Sequence, residues 1–149
     1  MPANTSPIYG LTPNVGSVSI TQTAALARSD GVATVGTNIF VAFTAGANGS
    51  FIQKVRFLSV ATTPTTGVAT VLRVYLSTVN TGSTTAANTF LLGELSVPAV
   101  PSANATNATS YYELPLNMAI SSGDYILVSQ HTAQTANQNW IALVMGSDY

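Results

Sequence analysis

The chain contains no cysteine among its 149 residues, which excludes disulfide bonds and thiolate metal sites. It is also poor in charge: only 6% of the residues are Asp, Glu, Lys or Arg, against roughly 25% in an ordinary soluble domain. Binding a nucleic acid requires several basic side chains that displace counterions, and four Lys and Arg argue against such a partner. A net charge of -1 resists association weakly, so the composition favours a protein that works within an assembly.

Long apolar runs are missing as well. No stretch approaches the ~20 apolar residues that a membrane-spanning helix needs, so we expect no membrane partner. Residues 1–7 have neither the basic region nor the apolar region of a secretory signal peptide, and we therefore expect no export by that route.

Two apolar segments, residues 51–60 and 68–77, organise the rest of the chain. Both are rich in β-branched and aromatic residues, and a Thr/Pro/Gly segment at 61–67 separates them. Their side chains alternate with a period of two, which is typical of half-buried strands. We expect them to be the central strands of an all-β sandwich.

The remaining chain predicts further short strands and turns. Strands are expected at 17–27, 37–44, 90–97, 110–116, 124–131 and 139–145, with a short strand or crossing at 32–35 and polar loops at 78–88 and 102–109. Asn48-Gly49 predicts a hairpin that pairs 37–44 with 51–60.

About eight strands without helical periodicity indicate a single-domain antiparallel β-sandwich that is jelly-roll-like. An immunoglobulin-like sandwich is the alternative. Residues 1–16 are interpreted as an extended N-terminal arm and residues 17–149 as the sandwich domain.

Basic side chains supply one set of candidate contact residues. Lys54, Arg56 and Arg73 would form a contact patch for an acidic partner if they met on one face of adjacent strands. The alternative is ion pairing with Glu94 or Glu113 inside the sheet. A second set lies in the arm, where Ile8, Tyr9 and Leu11 would either dock on a partner or pack back on the domain.

No catalytic, metal-binding or cofactor-binding pattern stands out. His131 is the only histidine, and we expect it to be a strand-end residue that faces solvent or an interface. Asp30 and Asp124 stand beside glycines, where turns explain them. No nucleophile elbow, phosphate loop or dinucleotide fingerprint occurs. Glu94 and Glu113 could form a glycosidase pair on arithmetic alone.

Aromatic residues leave one further alternative open. Five of them could present a sugar-stacking face, although such residues are more often core or interface anchors. They are Tyr75, Tyr111, Tyr112, Tyr125 and Trp140.

Three segments carry a family resemblance: Leu114-Pro115-Leu116-Asn117, the following Ser122-Gly123-Asp124-Tyr125, and the closing residues 140–149, which read WIALVMGSDY. Together with the uncharged, Ser/Thr/Asn/Ala-rich composition, they resemble small virion proteins of tailed bacteriophages. The resemblance implies a capsid decoration protein, made in the host cytoplasm and located on the phage head. Such proteins are often jelly rolls that bind the major capsid protein as homotrimers.

A receptor- or glycan-binding module of a tail fibre or spike is the competing interpretation of the sequence. An enzyme ranks third, because it would need an acid pair that the sequence does not display.

Overall fold

The computed structural model describes residues 10–21, 30–103, 108 and 111–149. These residues form ten strands and no helix. The strands are β1 (Thr12–Ile20), β2 (Ala33–Thr34), β3 (Ile39–Thr44), β4 (Ser50–Ala61), β5 (Thr70–Ser77), β6 (Ser83–Thr84), β7 (Thr89–Val97), β8 (Tyr112–Ile120), β9 (Tyr125–Gln130) and β10 (Gln138–Asp148).

Eight long strands build two four-stranded antiparallel sheets. Sheet A has the order β1-β10-β4-β8, sheet B has the order β3-β9-β5-β7, and the two-residue strands β2 and β6 pair as a small ribbon. Four antiparallel pairings are nested, which means that each encloses the one before it along the sequence. From the innermost to the outermost they join β5 with β7, β4 with β8, β3 with β9 and β1 with β10. Nested antiparallel pairs folded into two facing sheets are a jelly roll, so the predicted fold class is confirmed.

The main core lies between the two sheets. Each strand turns alternate side chains inward, and fully burying a large apolar side chain contributes about 1.5–3 kcal/mol. Trp140 is completely buried and packs edge-on against Tyr112, with 6.0 Å between the ring centroids. The remaining large buried members include Ile20, Phe40, Phe43, Ile52, Phe57, Leu72 and Ile126.

A second, smaller core covers part of the outer face of sheet B. Ile39, Tyr75 and Leu127 form it, and Ala33 and Val35 from the β2–β6 region pack against them. Part of the polar segment 78–88 thus has a structural role, because its β6 residues pair with β2. This cover makes the two outer faces of the sandwich different.

The predicted hairpin at Asn48-Gly49 is wrong. Gly49 does adopt a turn conformation, with φ at 88°, but β3 pairs with β9 and β4 pairs with β10 and β8. The turn therefore carries the chain from sheet B to sheet A. In a nested topology most consecutive strands belong to different sheets, and a local turn signal does not reveal this.

Several strand boundaries differ from the sequence prediction, among them the end of β10, which lies at Asp148 instead of residue 145. Strand β1 begins at Thr12, so part of the expected arm is paired with β10, while 22–27 of the predicted first strand lie outside the described residues. Strand β8 continues through Pro115 to Ile120. Proline is tolerated there because β8 is the edge strand of sheet A and an edge position need not donate a ladder hydrogen bond.

Candidate contact surface

The basic residues do not share one patch, and the prediction that all three meet is wrong. Lys54 and Arg56 lie on β4, on the outer face of sheet A, whereas Arg73 lies on β5, on the outer face of sheet B. The segment 61–67 connects the two strands across the sandwich rather than within one sheet. The two apolar segments are each central in a sheet, as expected, but in different sheets.

Both cations of β4 converge on one carboxylate. Arg56 stands opposite Glu113 in the β4–β8 register. Glu113 Oε1 accepts hydrogen bonds from Arg56 Nε and Nη2, each at 2.7 Å, and from Lys54 Nζ at 2.9 Å. The Arg56 guanidinium also lies 4.2 Å from the centroid of the Tyr111 ring, within the range of cation–π attraction. The predicted ion pairing inside the sheet is therefore confirmed for these residues.

This cluster carries one uncompensated positive charge. Hydrogen bonds from Lys54 and Arg56 lower the pKa of Glu113, so its carboxylate stays ionised into the acid range. Two cations and one carboxylate leave an excess of +1, and both cations contact the same oxygen. A carboxylate supplied by a partner would match this excess charge.

Aliphatic side chains surround the cluster on the same side of sheet A. Leu143 stands opposite Arg56, and Met145 stands between Lys54 and Val15 in the strand register. Val15 is 60% exposed, and Leu143 and Met145 are half-buried. We call this side of the sheet the contact face and define it by Val15, Lys54, Arg56, Leu58, Glu113, Ile141, Leu143 and Met145.

Arg73 occupies a different environment on sheet B. Only 9% of it is exposed, and its Nε donates to Glu94 Oε2 at 2.9 Å. Its Nη1 lies 3.3 Å from His131 Nδ1, and a guanidinium can only donate a hydrogen bond. The ion-pair alternative is thus confirmed for Arg73 as well, and its burial fits a role within its own sheet.

The remaining acidic residues hold local structure. Asp30 Oδ1 accepts from the backbone N–H of Val32, and Asp124 Oδ2 accepts from that of Ser121, so the turn interpretation is confirmed for both. Asp148 accepts hydrogen bonds from Asn14 Nδ2 and from the Ser50 hydroxyl. These bonds lower the pKa of Asp148, that from Asn14 most strongly, and they join β1, β10 and the start of β4.

Two of the five aromatic residues considered for sugar stacking are unavailable. Tyr75 and Trp140 are completely buried, one in each core, so a sugar-stacking face that includes them is wrong. Tyr111 is exposed but lies against Arg56, and Tyr112 and Tyr125 are half-buried. Burial could not be read from the sequence, because alternation shows which residues share a face but not which face is inward.

The arm contributes one described contact candidate. Leu11 is 80% exposed, and its backbone N–H donates to the carbonyl of Asp148 at 2.7 Å. Ile8 and Tyr9 lie outside the described residues. A partner contact at Leu11 remains a prediction.

The described residues enclose no pocket and contain no group of three side chains that could hold a metal ion. His131 directly follows β9 and is exposed. None of the segments 10–21, 30–103, 108 and 111–149 contains a helix with the length and apolarity needed to cross a membrane.

Comparison of the chain with protein-family models, with curated proteins and with solved structures finds no match.

Proposed function

We propose that this chain is a structural virion protein that decorates and stabilises a phage capsid, and that it binds the capsid surface through the contact face. The observation that carries the proposal is the exposed side of sheet A. There, aliphatic side chains surround two cations that share one carboxylate oxygen. Nothing in the described part of the chain covers this side as the β2–β6 ribbon covers sheet B.

The position of the contact face suits a rigid docking surface. Most of its residues lie on β10 and β4, which are the two central strands of sheet A. Side chains on paired central strands are held by neighbours on both sides, so little conformational entropy is lost on binding. Apolar residues around a few oriented charged groups are also the composition of recognition surfaces.

The charge of the contact face defines the chemistry of its partner. The excess of +1 favours a surface that brings a carboxylate against Lys54 and Arg56 and apolar side chains against Leu143 and Met145. The sequence resemblance supports the major capsid protein as that partner and a homotrimer as the assembled form. The low net charge of the chain lets copies sit side by side with little repulsion.

Co-sedimentation with purified heads of the encoding phage tests this proposal. The wild-type chain should sediment with the heads, and Val15→Glu and Arg56→Gln should each weaken binding about tenfold or more, which corresponds to about 1.4 kcal/mol. Thr44→Glu is the matched control, because Thr44 is exposed on β3, at the edge of sheet B that lies away from the contact face and from β7. Circular dichroism should show that all variants remain folded.

Two results would count against the proposal. If the wild-type chain stays in the supernatant with both immature and mature heads, capsid decoration is wrong. If the contact-face variants bind as well as Thr44→Glu, another surface makes the contact. Binding of the wild-type chain to a glycan array would instead support a receptor-binding module.

A further inference from the structure

Strand β7 forms an edge of sheet B that has no backbone partner among the described residues. It pairs with β5 along one side only. Within the described chain, residues 90–97 make no backbone hydrogen bond outside that pairing. An extended edge of this kind presents a row of N–H and C=O groups that can pair with another strand.

The other three sheet edges are protected. Strand β8 carries Pro115 and a positive φ of 48° at Asn117, and both features disrupt regular pairing. Strands β1 and β3 close the opposite side of the sandwich together. A Cβ on Gly16 of β1 would lie 2.0 Å from the carbonyl oxygen of Ala42 on β3.

No positive φ interrupts strand β7, although the Leu114 side chain of β8 lies against its Gly93. It contains neither proline nor a basic residue, and its single charge, Glu94, is bound by Arg73. A bulge at Leu92 interrupts the pairing with β5, but residues 89–91 and 93–97 pair regularly on either side of it. Its first half also exposes apolar side chains, with Phe90 48% and Leu91 37% accessible to solvent.

We infer that β7 is a self-association strand, which pairs antiparallel with β7 of a second copy about a twofold axis. Such a pairing would join two B sheets into one continuous eight-stranded sheet and shelter Phe90 and Leu91. A strand edge is complementary to itself in the antiparallel orientation, because each N–H meets a C=O on the other strand.

A second copy suits this edge better than a charged partner. The only charge on β7 is already neutralised within the same chain, so the edge offers nothing that would select a strongly acidic or basic segment. Two copies with a net charge of -1 each repel only weakly. The inference does not depend on capsid binding; if the chain is a homotrimer, β7 pairing joins two trimers.

Native mass spectrometry and light scattering of the full chain over a range of concentrations test the inference. The wild-type protein should reach an even number of copies at high concentration. Phe90→Lys combined with Leu91→Lys should halve that mass and weaken the association at least about tenfold, because lysine side chains on an edge strand oppose its pairing with another strand. Thr44→Lys, an exposed change on β3 at the opposite edge of sheet B, is the matched control and should leave the mass unchanged.

Hydrogen exchange on the wild-type protein provides a check that requires no variant. Amides of residues 90–97 should become more protected as the protein concentration rises, while those of β8 should not change. A mass that is odd in copies or monomeric at every concentration would overturn the inference. So would a mass that the two lysines leave unchanged, or protection in β7 that is independent of concentration.

Discussion

Replacing Gly16 by alanine should destabilise the fold through a single methyl group. Gly16 lies on β1 where this strand approaches β3, and an added Cβ would lie 2.0 Å from the oxygen of Ala42 and 3.0 Å from Phe43 Cα. Both neighbours are backbone atoms, so no flexible side chain can move aside. The two strands must separate, or the methyl group must overlap the carbonyl.

The expected cost follows from this geometry. Forcing one extra carbon into a packed contact usually costs about 1–3 kcal/mol, and the reduced freedom of the unfolded chain returns about 0.4–1 kcal/mol. A net loss of about 1.3 kcal/mol should lower Tm by roughly 3–5 °C for a chain of this size. Gly16→Val, with a larger side chain, should lower it further.

Thermal and urea unfolding followed by circular dichroism measure this effect. Ser17→Ala is the matched control, because Ser17 is the next residue on β1 but is exposed on the outer face of sheet A. Its change should stay within about 0.5 kcal/mol. If Gly16→Ala melts at the wild-type temperature, β1 does not approach β3 as described and the closed side of the sandwich is incorrect.

Two further predictions concern titrating groups. The pKa of Asp148 is lowered in the folded chain by hydrogen bonds from Asn14 and Ser50, so its stabilising contribution is present above the unfolded pKa and is lost as the pH falls through the folded one. Melting curves between about pH 5 and pH 2 should therefore show a smaller pH dependence for Asp148→Asn than for the wild type, and equal slopes would contradict the bonds. Burial raises the pKa of the Tyr75 phenol, and its hydrogen bond with Ser129 opposes this shift. The stability that the neutral phenol contributes is therefore present below its unfolded pKa of about 10 and is lost as the pH rises through the folded pKa. Ultraviolet absorbance titration should show one phenol ionising late in the wild type, and that phase should be missing in Tyr75→Phe, which should also cost about 0.5–1.5 kcal/mol of stability.

The ion pairs illustrate how far sequence patterns reach into the candidate site. Alternation placed Lys54 and Arg56 on one side of their strand, and two carboxylates within strands indicated pairing partners. The pattern could not assign Glu113 to Lys54 and Arg56 or Glu94 to Arg73, because these pairs depend on which strands become neighbours. It also did not single out Leu143 and Met145 as the apolar surroundings of the cluster.

The composition alone showed that the protein has very little charge. The order of apolar and polar residues along the chain was sufficient to predict an all-β sandwich and the positions of most strands. These properties are local, since a period of two and the turn residues between strands act over only a few neighbours. The tertiary structure alone decided that β4 and β5 lie in opposite sheets, that Tyr75 and Trp140 are buried, and that Gly16 meets Ala42. Those outcomes depend on nested pairing between distant segments, as when Asn14 binds Asp148, and short-range alternation contains no information about such partners.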